Sequence, residues 1–321
     1  MKPAWASRAK ATRTPGWVQR ACAARRINGV RRAAPRTKAW KNRTNLRAKL
    51  QAAKLPAWFL TMVYKVAASM HGPLLYGVEA FSGQGQLSAA FAEHVGAWSS
   101  FEILNNNEHN LLLDSGLEIL LGMVLSICAG GVLWMGTPCK SWVALSRSFT
   151  RRSLAWPEGP PVHLCTARQK DYLKEHNTLA DRTAMLAELV SCLGISYVVE
   201  QPQSSILFHY RPLADVLTRT NALAIPFRMC NFRGDSPKPL RLKGTGMWLK
   251  TFLKVNAVRQ KGQPKPVKRL VVQNAAGRFT GIKNMLTASS GYTRSMGTAL
   301  ALSYLGMGCM DVCKGLEQLG L

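Results

Sequence analysis

Two patterns of apolar residues alternate along this chain. Short apolar runs of strand length end abruptly at glycine or a polar residue, and longer stretches with helical spacing lie between them. Leu74–Phe81, Ala97–Ile103, Val132–Met135 and Ile195–Glu200 predict strands, and Leu111–Leu113 predicts a short strand ending at Asp114. Helices are predicted from Gln86 to about Val95, over Thr178–Leu193, from after His209 to about Thr220, and over Tyr292–Leu305. Leu117–Ala129 is apolar nearly all round, which predicts a well-buried helix. Upstream, Asn45–Leu55 and Ala57–Met70 read as two helices broken at Pro56. Alternating strands and helices predict an α/β fold with a Rossmann-like sheet. Residues 225–283 read as short β pieces and turns, a small β-rich second domain. Ser141–Asp171 contains Pro157, Pro160 and Pro161 together with Arg147, Arg151 and Arg152, and reads as a long loop.

Composition narrows the class. The chain has 321 residues, enough for one domain or for one large and one small. No apolar stretch reaches the roughly 18 residues of a membrane span, so a soluble protein is expected. Eight cysteines without regular spacing predict reduced thiols. Cys309 and Cys313 lack a second pair, so no metal site is expected.

Charge changes the picture more. The net charge is +27, distributed unevenly. Residues 1–54 hold 16 Lys/Arg and no acid, and residues 228–283 hold 14 basic and one acidic side chain. Residues 55–227 carry a net −2. A near-neutral core flanked by two basic segments fits a polyanionic partner. Residues 1–43 read as a disordered basic arm, or as an Arg-rich organelle transit peptide. The expected division is a basic arm with the start of a helix at 1–54, a core at 55–224, a small basic nucleic-acid-binding region at 225–290, and a closing helix at 291–321. The expected location is the nucleus, or an organelle if the arm is an address.

Three runs end at residues able to do chemistry: EAFSGQGQLSAAF (Glu79–Phe91), GTPCKSW (Gly136–Trp142) and YVVEQP (Tyr197–Pro202). In an open α/β sheet, all three ends lie at the carboxyl edge, where such folds bind ligands. Gly83 and Gly85 permit a sharp turn and close approach to a cofactor, although a dinucleotide fingerprint wants glycine where Ser88 stands. A plain strand-to-helix turn is the alternative. Glu102, 21 residues after Phe81, is placed to accept the hydroxyls of a ribose, or is a solvated strand end. Asp114 reads as a contact to a cofactor amine or as a helix cap. Cys139 alone among the cysteines follows a proline at a strand end, the context of a nucleophile rather than an inert buried thiol. Glu200, directly after an apolar strand, reads as an acid of raised pKa, or as a structural partner for an arginine. A glycine turn, a thiol and an acid on one edge point to covalent group transfer.

Together the runs resemble the cytosine carbon-5 methyltransferases of DNA, which use S-adenosylmethionine. Phe81, Gly83 and Gly85 match that family's Phe-x-Gly-x-Gly turn, and Gly136, Pro138 and Cys139 match its Gly-x-Pro-Cys run. Glu200 matches the acid of its Glu-Asn-Val run. The similarity spans roughly Leu74 to Leu305. Glu79 stands at the opening acidic position, Lys140 replaces a glutamine, and Gln201 and Pro202 follow the glutamate. No Gln-x-Arg-x-Arg run is present.

The resemblance implies a class I methyltransferase sheet, with Phe81, Ser82, Gly83, Gly85, Glu102, Asp114 and Pro138 around S-adenosylmethionine. It implies that Cys139 adds to carbon 6 of a flipped cytosine while Glu200 protonates ring nitrogen 3. Lys140 and Arg147 are expected to lower the thiol pKa. Lys140, Arg147, Arg233, Lys238, Arg241 and Lys243 are the expected nucleic-acid contacts, the last four among Phe227, Phe232, Trp248 and Phe252. DNA is the expected partner, and the basic segments fit RNA equally. An inactive nucleic-acid-binding relative and a nicotinamide dehydrogenase are the other readings. No obligate protein partner is evident.

Overall fold

The structure is a computed structural model that describes residues 48, 50–69, 75–234, 238–262, 271–273, 279–281 and 291–320. The expected basic arm lies almost wholly outside the described residues. A helical piece at 50–52 precedes Pro56, and α1 (Ala57–Ser69) follows it, as the proline break predicts. Then come β1 (Leu75–Ala80), α2 (Gln86–His94), β2 (Trp98–Phe101), α3 (Asp114–Leu125) and β3 (Ile127–Met135). α4 (Ala167–Cys192), β4 (Ser196–Pro202), α5 (Arg211–Arg219), β5 (Leu223–Arg228), β6 (Pro239–Gly244) and α6 (Leu249–Gly262) continue the chain. The last elements are β7 (Val271–Gln273), β8 (Phe279–Gly281), α7 (Arg294–Tyr304) and α8 (Cys309–Gln318).

Six strands form one mostly parallel sheet in the order β2-β1-β3-β4-β6-β5, compatible with a Rossmann-like α/β fold. β2, β1, β3 and β4 run parallel, whereas β6 is antiparallel to both β4 and β5. Helices cover both faces, so the central strands read as continuous apolar runs. Leu133, Met135, Tyr197 and Val199 pack with α1, α3, α4 and α5 on one face. Val132, Trp134, Val198, Leu240 and Leu242 pack with α2, α6, α7 and α8 on the other. From β1 the chain goes to β2 on one side and then crosses to β3 on the other. The carboxyl ends of β1 and β3 therefore flank a topological switch point, where open α/β sheets form their binding crevice.

Four expectations change. Leu111–Leu113 is a turn rather than a strand, because the buried Arg182 guanidinium donates to the carbonyls of Leu111 and Leu113, 2.7 Å each. The helix expected to run to Ala129 stops at Leu125, and β3 begins at Ile127. α4 starts at Ala167, eleven residues before Thr178, because Thr166 and Gln169 form a capping box there. β5 and β6 are not a separate small domain: they extend the main sheet, and α6 packs on β5, α7 and α8. Of residues 263–290 only the β7–β8 ribbon is described. No described helix is long and apolar enough to cross a membrane.

Candidate functional site

The turn after β1 is built from unusual backbone. Phe81, Gly83 and Gly85 all have positive φ, at 60°, 54° and 67°. The left-handed region suits glycine and strains phenylalanine, so the turn holds Phe81 by its surroundings. The amides of Phe81 and Ser82 donate to the Phe101 carbonyl at the end of β2, and Gly83 N donates 2.8 Å to Glu102 Oε2. Glu102 Oε1 accepts from Leu104 N at 3.2 Å. Thus Glu102 is nearly buried and fixes the glycine turn from the neighbouring strand. Each carboxylate oxygen keeps acceptor capacity for a hydroxyl.

Glu79 is fully buried one strand position before Ala80. Its Oε2 accepts from Ser88 N (2.8 Å) and Ser88 Oγ (2.5 Å), and so occupies the positive end of α2. Burial pushes the carboxyl up to about 7, more than the Ser88 bonds pull it back, and the Glu102 charge adds to the rise. Glu79 Oε1 and Ser82 Oγ are buried without hydrogen-bond partners. Buried polar atoms of this kind are uncommon, and these two lie beside one glycine turn.

β3 delivers Gly136–Cys139 beside that turn, and Gly136 N donates to Ala80 O at 3.1 Å. Two buried threonines pin the loop, Thr137 Oγ1 lying 2.9 Å from Thr183 Oγ1 on α4. Gln201 on β4 is fully buried; its Nε2 donates to Thr137 O (2.5 Å), and its Oε1 accepts from Ser205 Oγ (2.8 Å). The residue after the glutamate thereby holds the backbone just ahead of the cysteine. Beyond Cys139, buried Arg152 stacks 3.6 Å over the Trp142 ring. It donates to Ser141 Oγ (2.7 Å), Asn177 Oδ1 (2.8 Å) and the Pro157 carbonyl. The long loop is thus clamped to α4 around one arginine.

Cys139 follows the end of β3, Glu200 lies on the neighbouring strand β4, and the Glu200 charge acts on the thiol. Burial pushes the Cys139 thiol above its ordinary range; Lys238 pulls it down, Glu200 pushes it up, and Lys140 pulls only weakly. This corrects the expectation for the thiol: its chief cationic neighbour is Lys238, and Lys140 and Arg147 do not bring it below the normal range. Arg147 donates instead to Ser204 O at 3.3 Å. Burial likewise raises Glu200, with Lys238 and a hydrogen bond from Tyr292 opposing it. Tyr292 Oη donates to Glu200 Oε2 at 3.1 Å and accepts from Trp134 Nε1 at 3.1 Å.

The structure therefore brings Phe81, Ser82, Gly83, Gly85, Glu102, Pro138, Cys139, Glu200 and Lys238 to one edge. Asp114 is instead the first residue of α3 and pairs with Arg182 Nη2 at 2.5 Å, a structural partner. Arg241 and Lys243 alternate with Leu240 and Leu242 on β6. Leu242 pairs with Glu200, so the two basic residues project to the opposite, α5 side, where Lys243 lies 5.0 Å from the Phe208 ring centroid. Arg233 is bonded to the Gly320 carbonyl beyond α8. Lys140 is exposed beside the cysteine. Glu79, Gln201, Arg152, Trp134 and Tyr292 were missed as site residues. Their roles depend on partners up to 158 residues away, and only the opening acidic position of Glu79 and the position of Gln201 directly after Glu200 offered a signal. No family model matches this chain, and no curated protein matches it either.

Proposed function

We propose that this chain methylates carbon 5 of cytosine in DNA through a covalent Cys139 adduct, on what we read as a class I methyltransferase sheet. One observation carries the reading: a thiol and the carboxyl whose charge acts on it lie at the ends of adjacent strands, next to a glycine turn with orphaned polar atoms. The turn also argues against a dinucleotide. A pyrophosphate needs the free N–H groups of the helix start, but Gly83 N and Ser88 N are already taken by carboxylates. An acidic turn with ribose-accepting capacity fits a cationic sulfonium nucleoside. Phe81, Ser82, Gly83, Gly85, Glu102 and Pro138 would hold S-adenosylmethionine, which supplies a methyl group and leaves as the neutral thioether.

The chain's own residues do the rest. The Cys139 thiolate forms a bond to carbon 6, and the ring electrons move toward nitrogen 3, which takes the Glu200 proton. Carbon 5 becomes an enamine carbon and forms the new carbon–carbon bond. Water then removes the carbon 5 proton, the Cys139–carbon 6 bond breaks with its electron pair returning to sulfur, and nitrogen 3 returns its proton to Glu200. A carboxyl raised by burial is suited to giving that proton near neutral pH. β8 (Phe279–Gly281) lies against the Ala144–Ser146 turn in the loop after Cys139.

Duplex DNA containing 5-fluorocytosine tests this. Fluorine at carbon 5 blocks the final proton loss, so with S-adenosylmethionine a denaturation-resistant complex is expected, absent in Cys139→Ser. RNA run in parallel assigns the polymer. The raised thiol favours a second reading, a nucleic-acid-binding protein without turnover. No adduct on either polymer, from folded protein that binds the cofactor, would establish that reading instead.

A further inference from the structure

We infer that Tyr292 is a positioning residue for Glu200, binding Oε2 so that the acid's proton resides on Oε1. We infer further that Trp134 fixes the direction of this bond. The inference rests on the reading of Glu200 as the proton donor.

The geometry is a chain of three groups. An indole N–H can only donate, so the 3.1 Å contact makes Tyr292 Oη the acceptor from Trp134. The phenol has one proton, and the 3.1 Å contact to Glu200 Oε2 is the one onward hydrogen bond it makes among the described residues. Were Glu200 Oε2 to carry the proton and donate to Tyr292, the phenol proton would be left without an acceptor. The arrangement that satisfies every group has Trp134 donating to Tyr292, Tyr292 donating to Glu200 Oε2, and Oε1 left to hold and deliver the proton. An acid whose two oxygens are distinguished in this way needs no rotation before transfer.

The phenol is held on several sides. Its ring meets Trp134 edge-on, with centroids 5.8 Å apart and planes at 85°. Thr293, the next residue, caps α7 by accepting from Met296 N at 3.2 Å and donates to Phe232 O at 2.6 Å. The preceding Gly291 lies against Gln84 of the glycine turn. A Cβ at Gly136 would stand 2.9 Å from Tyr292 Oη, so the first glycine of Gly-x-Pro-Cys leaves the space the hydroxyl occupies. The returning C-terminal segment thus reaches under both the thiol loop and the acid. Lys238 and Tyr292 are the titratable groups acting on Glu200, Glu200 in turn acts on the Cys139 thiol, and Glu79 acts on the phenol.

Carboxyl carbon NMR on full-length protein labelled at glutamate tests the link without requiring turnover, with Glu200→Gln assigning the signal. Tyr292→Phe removes a donor that favours the carboxylate, so the Glu200 midpoint should rise by about one pH unit. Incorporating 3-fluorotyrosine at position 292 keeps the shape but strengthens the donor, and the midpoint should fall. On methyl transfer, Tyr292→Phe should lower kcat by about 10-fold or more with KM little changed, and should move the pH profile with the NMR midpoint. An unmoved midpoint in both variants would overturn the inference, whatever the turnover. A moved midpoint in a protein whose wild type forms no fluorocytosine adduct would support the Tyr292–Glu200 link and sink the methyl-transfer reading.

Discussion

Lys238 is the main influence that favours the Cys139 thiolate. Burial alone disfavours the thiolate, and the Glu200 carboxylate disfavours it further; the ammonium of Lys238 is the largest opposing influence. The same ammonium stabilises the Glu200 carboxylate, so one cation acts on both the thiol and the carboxyl. Lys238→Met should raise both. Alkylation of Cys139 by iodoacetamide should therefore climb with pH across the alkaline range in the wild type, and in Lys238→Met the climb should begin at higher pH. Identical pH profiles in the two proteins would remove Lys238 from the thiol's surroundings. At the same scale, Gln201 shows how a conservative-looking difference acquires a role: its amide spans Thr137 O and Ser205 Oγ and so holds the loop that carries the cysteine.

Among the elements, α2 and the strand beneath it hold a buried carboxyl at an energetic cost. Glu79 is raised to about 7 from 4.5, so in the folded state it holds its proton over a window in which the unfolded chain has lost it. Stability linked to this group is fully present below about pH 4.5 and is lost as pH rises through 7. Taken over 2.5 units the loss is about 3 kcal/mol, comparable with the burial of one large apolar side chain. Glu79→Gln keeps the acceptor for Ser88 and removes the titration. Urea denaturation at pH 5 and pH 8 should show the wild type losing stability over that interval and the variant losing much less. An equal loss in both would show that Glu79 does not govern it. α4 shows the reverse case, in which a local signal was sufficient: Thr166 and Gln169 satisfy each other's backbone amides and start the helix three turns early. Those added turns give Arg152 its Asn177 anchor.

At the scale of the whole molecule, charge and fold are separable. Leu50 and Leu55 are part of the core, so a deletion of the basic arm is drawn ahead of residue 48. Residues 1–47 carry 14 Lys/Arg and no acid. Deleting them should leave the thermal midpoint and cofactor affinity unchanged, but weaken nucleic-acid binding and flatten its dependence on salt. Equal salt slopes for the full and shortened chains would assign the arm to addressing. The basic residues around β6 divide by place: Lys238, just before the strand, acts on Cys139 and Glu200, whereas Arg241 and Lys243 lie on the α5 side. Contacts through Arg241 and Lys243 would therefore engage a different surface from the cleft.

The sequence by itself determined what depends on neighbours a few residues apart. Apolar runs located β1, β3 and β4, glycines marked the turn after β1, and the residues ending those runs located Cys139 and Glu200 before any pairing was known. Tertiary structure decided what depends on distant partners. Leu111–Leu113 has strand composition, but the guanidinium of Arg182, about 70 positions away, takes its carbonyls and makes a turn. β5 and β6 lie in a basic stretch of turns that reads as a separate region, and the hydrogen bonding of β6 to β4 and of β5 to β6 makes them part of the sheet. The thiol lies high because burial exceeds the effect of a neighbouring lysine 99 positions later, and Tyr292 reaches Glu200 across 92. Periodicity and turn chemistry are written locally in a chain; desolvation and long-range hydrogen bonds exist only once the sheet and its two helical layers have closed.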